Sequence, residues 1–64
     1  MANLKELRKS QFLSQEDLAK MAEMTTSTVN RLENGKQAPR FATVRRLAKA
    51  LGVRPSEINF SKNS

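Results

Sequence analysis

The side chains best suited to recognising another molecule lie in one short stretch, Thr25-Thr26-Ser27-Thr28-Val29-Asn30-Arg31-Leu32. Its hydroxyls, amide and guanidinium give and take hydrogen bonds but carry no proton that titrates near neutrality. Their chemical counterpart is the edge of a nucleic-acid base. A guanidinium spans guanine O6 and N7, an amide spans adenine N6 and N7, and a threonine methyl meets the methyl of thymine. Helical spacing puts Val29 and Leu32 on the buried side and turns Thr26, Ser27, Asn30 and Arg31 outward. No acid occupies the first turn, where the positive end of a helix would favour one. That end is left free for a phosphate.

Enzymatic chemistry has little material here. The chain has no histidine, no cysteine, a single aspartate and no glycine-rich phosphate loop. The usual acid–base pairs and activated nucleophiles cannot be assembled from such a set, and no catalytic residue is expected. Without His or Cys the common zinc sites are also missing, so no metal, cofactor or small-molecule ligand is expected. The absence of cysteine suits a reducing compartment. The N-terminus lacks the apolar core of a signal peptide, and no apolar run approaches membrane-spanning length. A cytoplasmic protein, on the nucleoid when bound to DNA, is the expectation.

The formal net charge of +6 is unevenly placed. Over residues 1–30, Lys5, Arg8, Lys9 and Lys20 cancel Glu6, Glu16, Asp17 and Glu23; over residues 55–64, Lys62 cancels Glu57. The excess therefore lies in residues 31–54, where Arg31, Lys36, Arg40, Arg45, Arg46, Lys49 and Arg54 face Glu33 alone. A basic cluster confined to one part of a fold marks a polyanion site. An anionic membrane fits less well, because no strongly amphipathic helix with a large apolar face accompanies the charge.

The elements that hold these residues read as helices throughout, with no strand pattern. A chain of 64 residues makes one domain and buries only about 60% of the surface it exposes when unfolded. Leu4 and Leu7 place a first helix over about Asn3 to Ser10. Ser14 caps a second, with Asp17 as the reciprocal arm of a capping box and Leu18, Ala19 and Ala22 inward. Small Ala19 lets a third helix approach closely. Thr25 caps that helix, and Asn34-Gly35 stops it. After a polar loop from Lys36 to Arg40, a fourth helix over about Phe41 to Leu51 is expected to bury Phe41, Val44, Leu47, Ala48 and Leu51 until Gly52 ends it. Pro55 opens a short fifth helix through Ile58. The expectation is an all-α, compact five-helix bundle, with a frayed tail at 61–64.

With these residues in place, a resemblance emerges over Leu4 to Phe60. Leu13-Ser14-Gln15-Glu16-Asp17-Leu18-Ala19-Lys20, Thr28-Val29-Asn30-Arg31-Leu32-Glu33-Asn34-Gly35-Lys36 and Leu47-Ala48-Lys49-Ala50-Leu51-Gly52-Val53 agree in register with the Cro/C1-type (XRE-like) helix-turn-helix family of bacterial and phage regulators. The resemblance implies a lambda-repressor-like DNA-binding domain over 4–60, a helix-turn-helix at about 15–34 and a recognition helix at about 26–34. It also implies roles. Thr26, Ser27 and Arg31 take base-reading positions, with Thr28 and Asn30 beside the groove wall. Gln15 meets a phosphate and braces the recognition helix. Asn34, Lys36, Arg40 and the backbone N–H groups from Phe41 onward grip phosphates, Arg40 having the minor groove as its other option. Arg8 and Glu33 match a pair that joins the first helix to the end of the third.

Three positions depart from the family pattern. Gly is usual where Glu23 stands and frequent where Phe12 stands. A side chain held there in the left-handed region costs about 1–2 kcal/mol, so either the turns accept that strain or their geometry differs slightly. Arg40 replaces the Ser or Thr expected as cap of the fourth helix, a loss of about 1 kcal/mol. The cation is unfavourable for helix stability and favourable for a phosphate site.

The function expected is sequence-specific binding of double-stranded DNA by a transcriptional regulator, a repressor on a palindromic operator. A homodimer would use Val53, Ile58 and Phe60 in the helix-five region, unless Ile58 and Phe60 are core residues. Two alternatives stay open: an antitoxin-like protein-interaction module that also touches DNA, and a nonspecific packaging protein. Phe12, Phe41 and Phe60, each read as lying in or beside an apolar cluster, leave no stacking platform for single strands.

Overall fold

A computed structural model describes residues 2–60; the expectation of a frayed tail at 61–64 lies outside the described residues. The element order is β1 (Ala2–Asn3), α1 (Leu4–Ser10), α2 (Gln15–Met21), α3 (Thr26–Glu33), α4 (Phe41–Leu51), a 3₁₀ turn (Pro55–Glu57) and β2 (Ile58–Asn59). Three of the four helix starts follow from a short polar side chain just ahead of them. The Asn3 side chain accepts from the Glu6 N–H at 2.8 Å while the Glu6 carboxylate takes the Asn3 N–H at 3.0 Å. Ser14 and Asp17 exchange the same pair of bonds at 2.9 and 3.1 Å. Thr25 accepts from the Thr28 N–H at 3.2 Å. Each satisfies N–H groups that a helix start would otherwise leave unpaired. The carboxyl of Asp17 is held below its ordinary range chiefly by the backbone N–H of Ser14 and then by its hydroxyl.

All four helices end in the same way. After α1, Phe12 N–H bonds to Lys9 C=O and Leu13 N–H to Arg8 C=O; after α2, Glu23 N–H bonds to Lys20 and Met24 N–H to Ala19. Gly35 and Lys36 repeat the pattern on Leu32 and Arg31, as do Gly52 and Val53 on Lys49 and Ala48. These paired bonds are the Schellman termination, which needs one residue in the left-handed region. Gly35 (φ 70°) and Gly52 (φ 71°) adopt it freely, whereas Phe12 (φ 58°) and Glu23 (φ 59°) adopt it with a side chain. Both turns therefore keep the left-handed conformation and accept its strain.

The core is Leu4, Leu18, Ala19, Ala22, Val29, Leu32, Leu47, Ala48, Leu51 and Ile58, with Leu7, Leu13, Met24, Ala50, Val53 and Phe60 packed partly buried against it. α2 packs most extensively on α3, and the two alanines, each 2% exposed, allow that approach.

Several expectations need correction. The fifth helix is a single 3₁₀ turn, so the described residues form four α-helices. Ile58 and Asn59 instead run extended and pair in parallel with Ala2 and Asn3, although no strand pattern preceded them. The extended form lets Ile58 reach the core at 6% exposure. Phe41 is 90% exposed rather than buried, and Val44 is half-buried. Phe41 belongs to the same stripe as Val44 and Leu51, but side chains on a helix lean towards its N-terminus. At the first position that lean carries the ring off the end of α4, past the core. Phe12 is likewise outside the apolar cluster, 94% exposed, because its turn points it away from the fold. The argument against a stacking platform therefore retains only Phe60.

Candidate nucleic-acid interface

The turn between α2 and α3 sets the interface. Val29 (0% exposed) and Leu32 (4%) seat α3 on the core, and its opposite side then faces outward. Thr26, Ser27, Asn30 and Arg31 from α3, with Gln15 from the first turn of α2, line one open concave surface. All five were expected in the site, and the fold brings them together. The other expected residues do not line this surface. The half-buried Thr28 has its hydroxyl on that of Thr25 at 2.9 Å, so it completes the cap. Asn34 is exposed, with Nδ2 on Asn30 Oδ1 at 3.1 Å. Lys36 lies in the loop after Gly35, where it helps line a shallow depression with Pro39 and Phe60. Arg40 is the N-cap of α4, and it makes no side-chain cap hydrogen bond.

Beneath the concave surface lies an ion pair. Arg8 Nε reaches Glu33 Oε2 at 2.5 Å, with the two side chains 9% and 1% exposed. Arg8 Nη2 donates to Glu33 Oε1 at 3.1 Å, and Nη1 to the Leu13 carbonyl at 2.8 Å. This fork on a carboxylate is the strong form of a charge-assisted contact, and it holds the Arg8 guanidinium above its ordinary pKa chiefly through the hydrogen bond to Glu33. It fastens α1 to the last residue of α3, so the angle of α3 is set from behind.

The partners through which Gln15 holds α3 were not anticipated. Gln15 Nε2 donates to Glu33 Oε1 at 3.0 Å, while Gln15 Oε1 accepts from Asn30 Nδ2 at 3.5 Å. Gln15 thus links the buried pair to the outward face. Nothing in residue spacing reveals this, since the partners are 18 and 15 positions away. A further concavity of about 510 Å³ lies between the end of α2 and α4, lined by Met21, Ala22, Glu23, Arg46, Lys49 and Ala50. It lies apart from the α3 face. Among the described residues no cluster of His, Cys, Asp or Glu could hold a metal ion, and no helix is long and apolar enough to cross a membrane.

The model of a helix-turn-helix family matches residues 4–58. The chain belongs to the helix-turn-helix family. It is of the Cro/C1 type and is a DNA-binding regulator of transcription. Among solved structures, the restriction-modification controller protein C.AhdI from Aeromonas hydrophila is 37% identical, with a TM-score of 0.83. The match covers 84% of this chain and 82% of that protein. No match is found among curated protein sequences. In this helix-turn-helix protein, Glu23 stands in the turn between α2 and α3.

Proposed function

We propose that the protein is a sequence-specific regulator that reads the major groove of double-stranded DNA with α3. The observation that carries this reading is the shared concave surface of Gln15, Thr26, Ser27, Asn30 and Arg31. Thr26, Ser27, Asn30 and Arg31 meet base edges, and Gln15 meets a phosphate with the second hydrogen of its Nε2 amide. Asn34, Lys36, Arg40 and the N–H groups at the start of α4, with no side-chain cap of their own, take further phosphates. Phe41, exposed at that helix start, stands among them.

A single domain of this size covers little DNA, so the reading includes two copies on an inverted repeat. The surface proposed for pairing is narrower than the sequence indicated. Ile58 is core, leaving half-buried Val53 and Phe60. Repression is the mode assigned, because occupancy alone suffices to occlude a promoter. The likeness to a restriction-modification controller protein makes the genes of such a system the first reporters to test.

Selection of binding sites from random duplexes, repeated at two salt concentrations, tests the proposal. An enriched inverted repeat with a steep salt dependence is the expected outcome. Salt-sensitive binding with no enriched motif would indicate packaging instead, and no binding would indicate a partner-holding role.

A further inference from the structure

We infer that Gln15 and Glu33 determine base specificity without touching a base, by fixing which way round the Asn30 amide faces. This rests on the proposed reading, in which Asn30 meets a base edge. Four side chains form a directional chain outward from the core. Glu33, 1% exposed in its side chain, is a carboxylate held against Arg8 and can only accept. The Gln15 amide must therefore turn its nitrogen towards Glu33, as it does at 3.0 Å, which sends its oxygen outward. That oxygen can only accept, so Asn30 turns its own nitrogen towards it, at 3.5 Å. The Asn30 oxygen is then left on the other side, where Asn34 Nδ2 donates to it at 3.1 Å.

An amide has nearly the same shape either way round, but the two orientations read DNA differently. The Gln15 and Asn30 amides each use one hydrogen and one lone pair in the chain, so Asn30 keeps one donor and one acceptor for a base. In the orientation the chain dictates, those two have a defined order in space. Turned round, the same amide would meet the N6 donor of adenine with its own donor. The carboxylate at the buried end of the chain selects between these states. Gln15 is the coupling element, and neither Gln15 nor Glu33 needs to contact the base that is discriminated.

The test compares binding-site selection by the wild-type protein, Asn30→Ala, Gln15→Met and Gln15→Glu, each verified as folded by its backbone amide spectrum. Asn30→Ala locates the base position that Asn30 reads. Both Gln15 variants are expected to lower preference at that same position by roughly fivefold or more, near the smaller discrimination a bidentate contact supplies, and to spare other positions. Uniform loss of affinity across all sequences would make Gln15 a phosphate contact only and overturn the inference. So would an Asn30→Ala profile identical to wild type. A second readout needs no DNA: Gln15→Met should shift the side-chain NH2 resonances of both Asn30 and Asn34 in the free protein. Unchanged resonances would overturn the chain itself. A wild-type protein that enriches no motif would instead overturn the DNA reading, and the inference with it.

Discussion

Glu33 accepts three side-chain hydrogen bonds, two from Arg8 and one from Gln15, in a site almost closed to water. Removing one partner of a buried pair leaves the other charge uncompensated, a cost of about 3–5 kcal/mol. Glu33→Ala should therefore lower Tm far more than Glu57→Ala, whose exposed carboxylate makes only a local bond at 3.4 Å and whose loss should stay within about 0.5 kcal/mol. Equal effects in thermal unfolding would contradict the bracing role. Little of this was visible in the residues themselves. Arg8 and Glu33 lie 25 positions apart, and only family resemblance paired them. Capping residues such as Ser14 and Thr25 were legible because their partners are three positions away. The exposure of Phe41 was not legible, since periodicity assigns a face of a helix and says nothing about where the core stops along its axis.

At the scale of elements, the helix ends are where strain is stored. Glu23 and Phe12 hold left-handed backbone that glycine would take without cost. Glu23→Gly and Phe12→Gly should each stabilise the protein by about 0.5–1 kcal/mol in denaturant unfolding, the relieved strain being offset in part by the greater freedom of glycine in the unfolded chain. Destabilisation would mean that the side chain makes a contact worth more than the strain. The start of α2 makes a pH-dependent contribution of defined sign. Because the Asp17 carboxyl is held low, its capping contribution is complete above the ordinary carboxylate range and is lost as pH falls through the depressed value. The Tm difference between wild type and Asp17→Asn should be present at neutral pH and close in acid; a difference independent of pH would contradict the assignment. The stops at Phe12 and Glu23 carry no glycine, and only the family resemblance pointed to them. The starts at Ser14 and Thr25 and the stops at Gly35 and Gly52 could be read from residue type. The last segment could not, because its conformation depends on pairing with Ala2 and Asn3 at the other end of the chain.

Across the whole molecule, that pairing closes the fold. Ile58 ties the chain end to a core that begins at Leu4, so Ile58→Asp should sharply destabilise the protein rather than yield a folded monomer. A folded variant of native Tm would restore Ile58 to the surface. The charge pattern shows a second division of labour. The outward face of α3 holds one cation, Arg31, while Lys36, Arg40, Arg45, Arg46, Lys49 and Arg54 follow it in the chain. Specificity is thus assigned to α3 and grip to the segment beginning at its end. The most direct measurement of this division is equilibrium titration of wild type, Arg31→Ala and Lys36→Ala against a selected duplex and a scrambled one over a range of salt. Arg31→Ala should lose about 1–3 kcal/mol on the selected duplex and much less on the scrambled one. Lys36→Ala should weaken both equally and reduce the salt slope by about one. If Arg31→Ala weakens the two duplexes alike, α3 does not read sequence and the account fails.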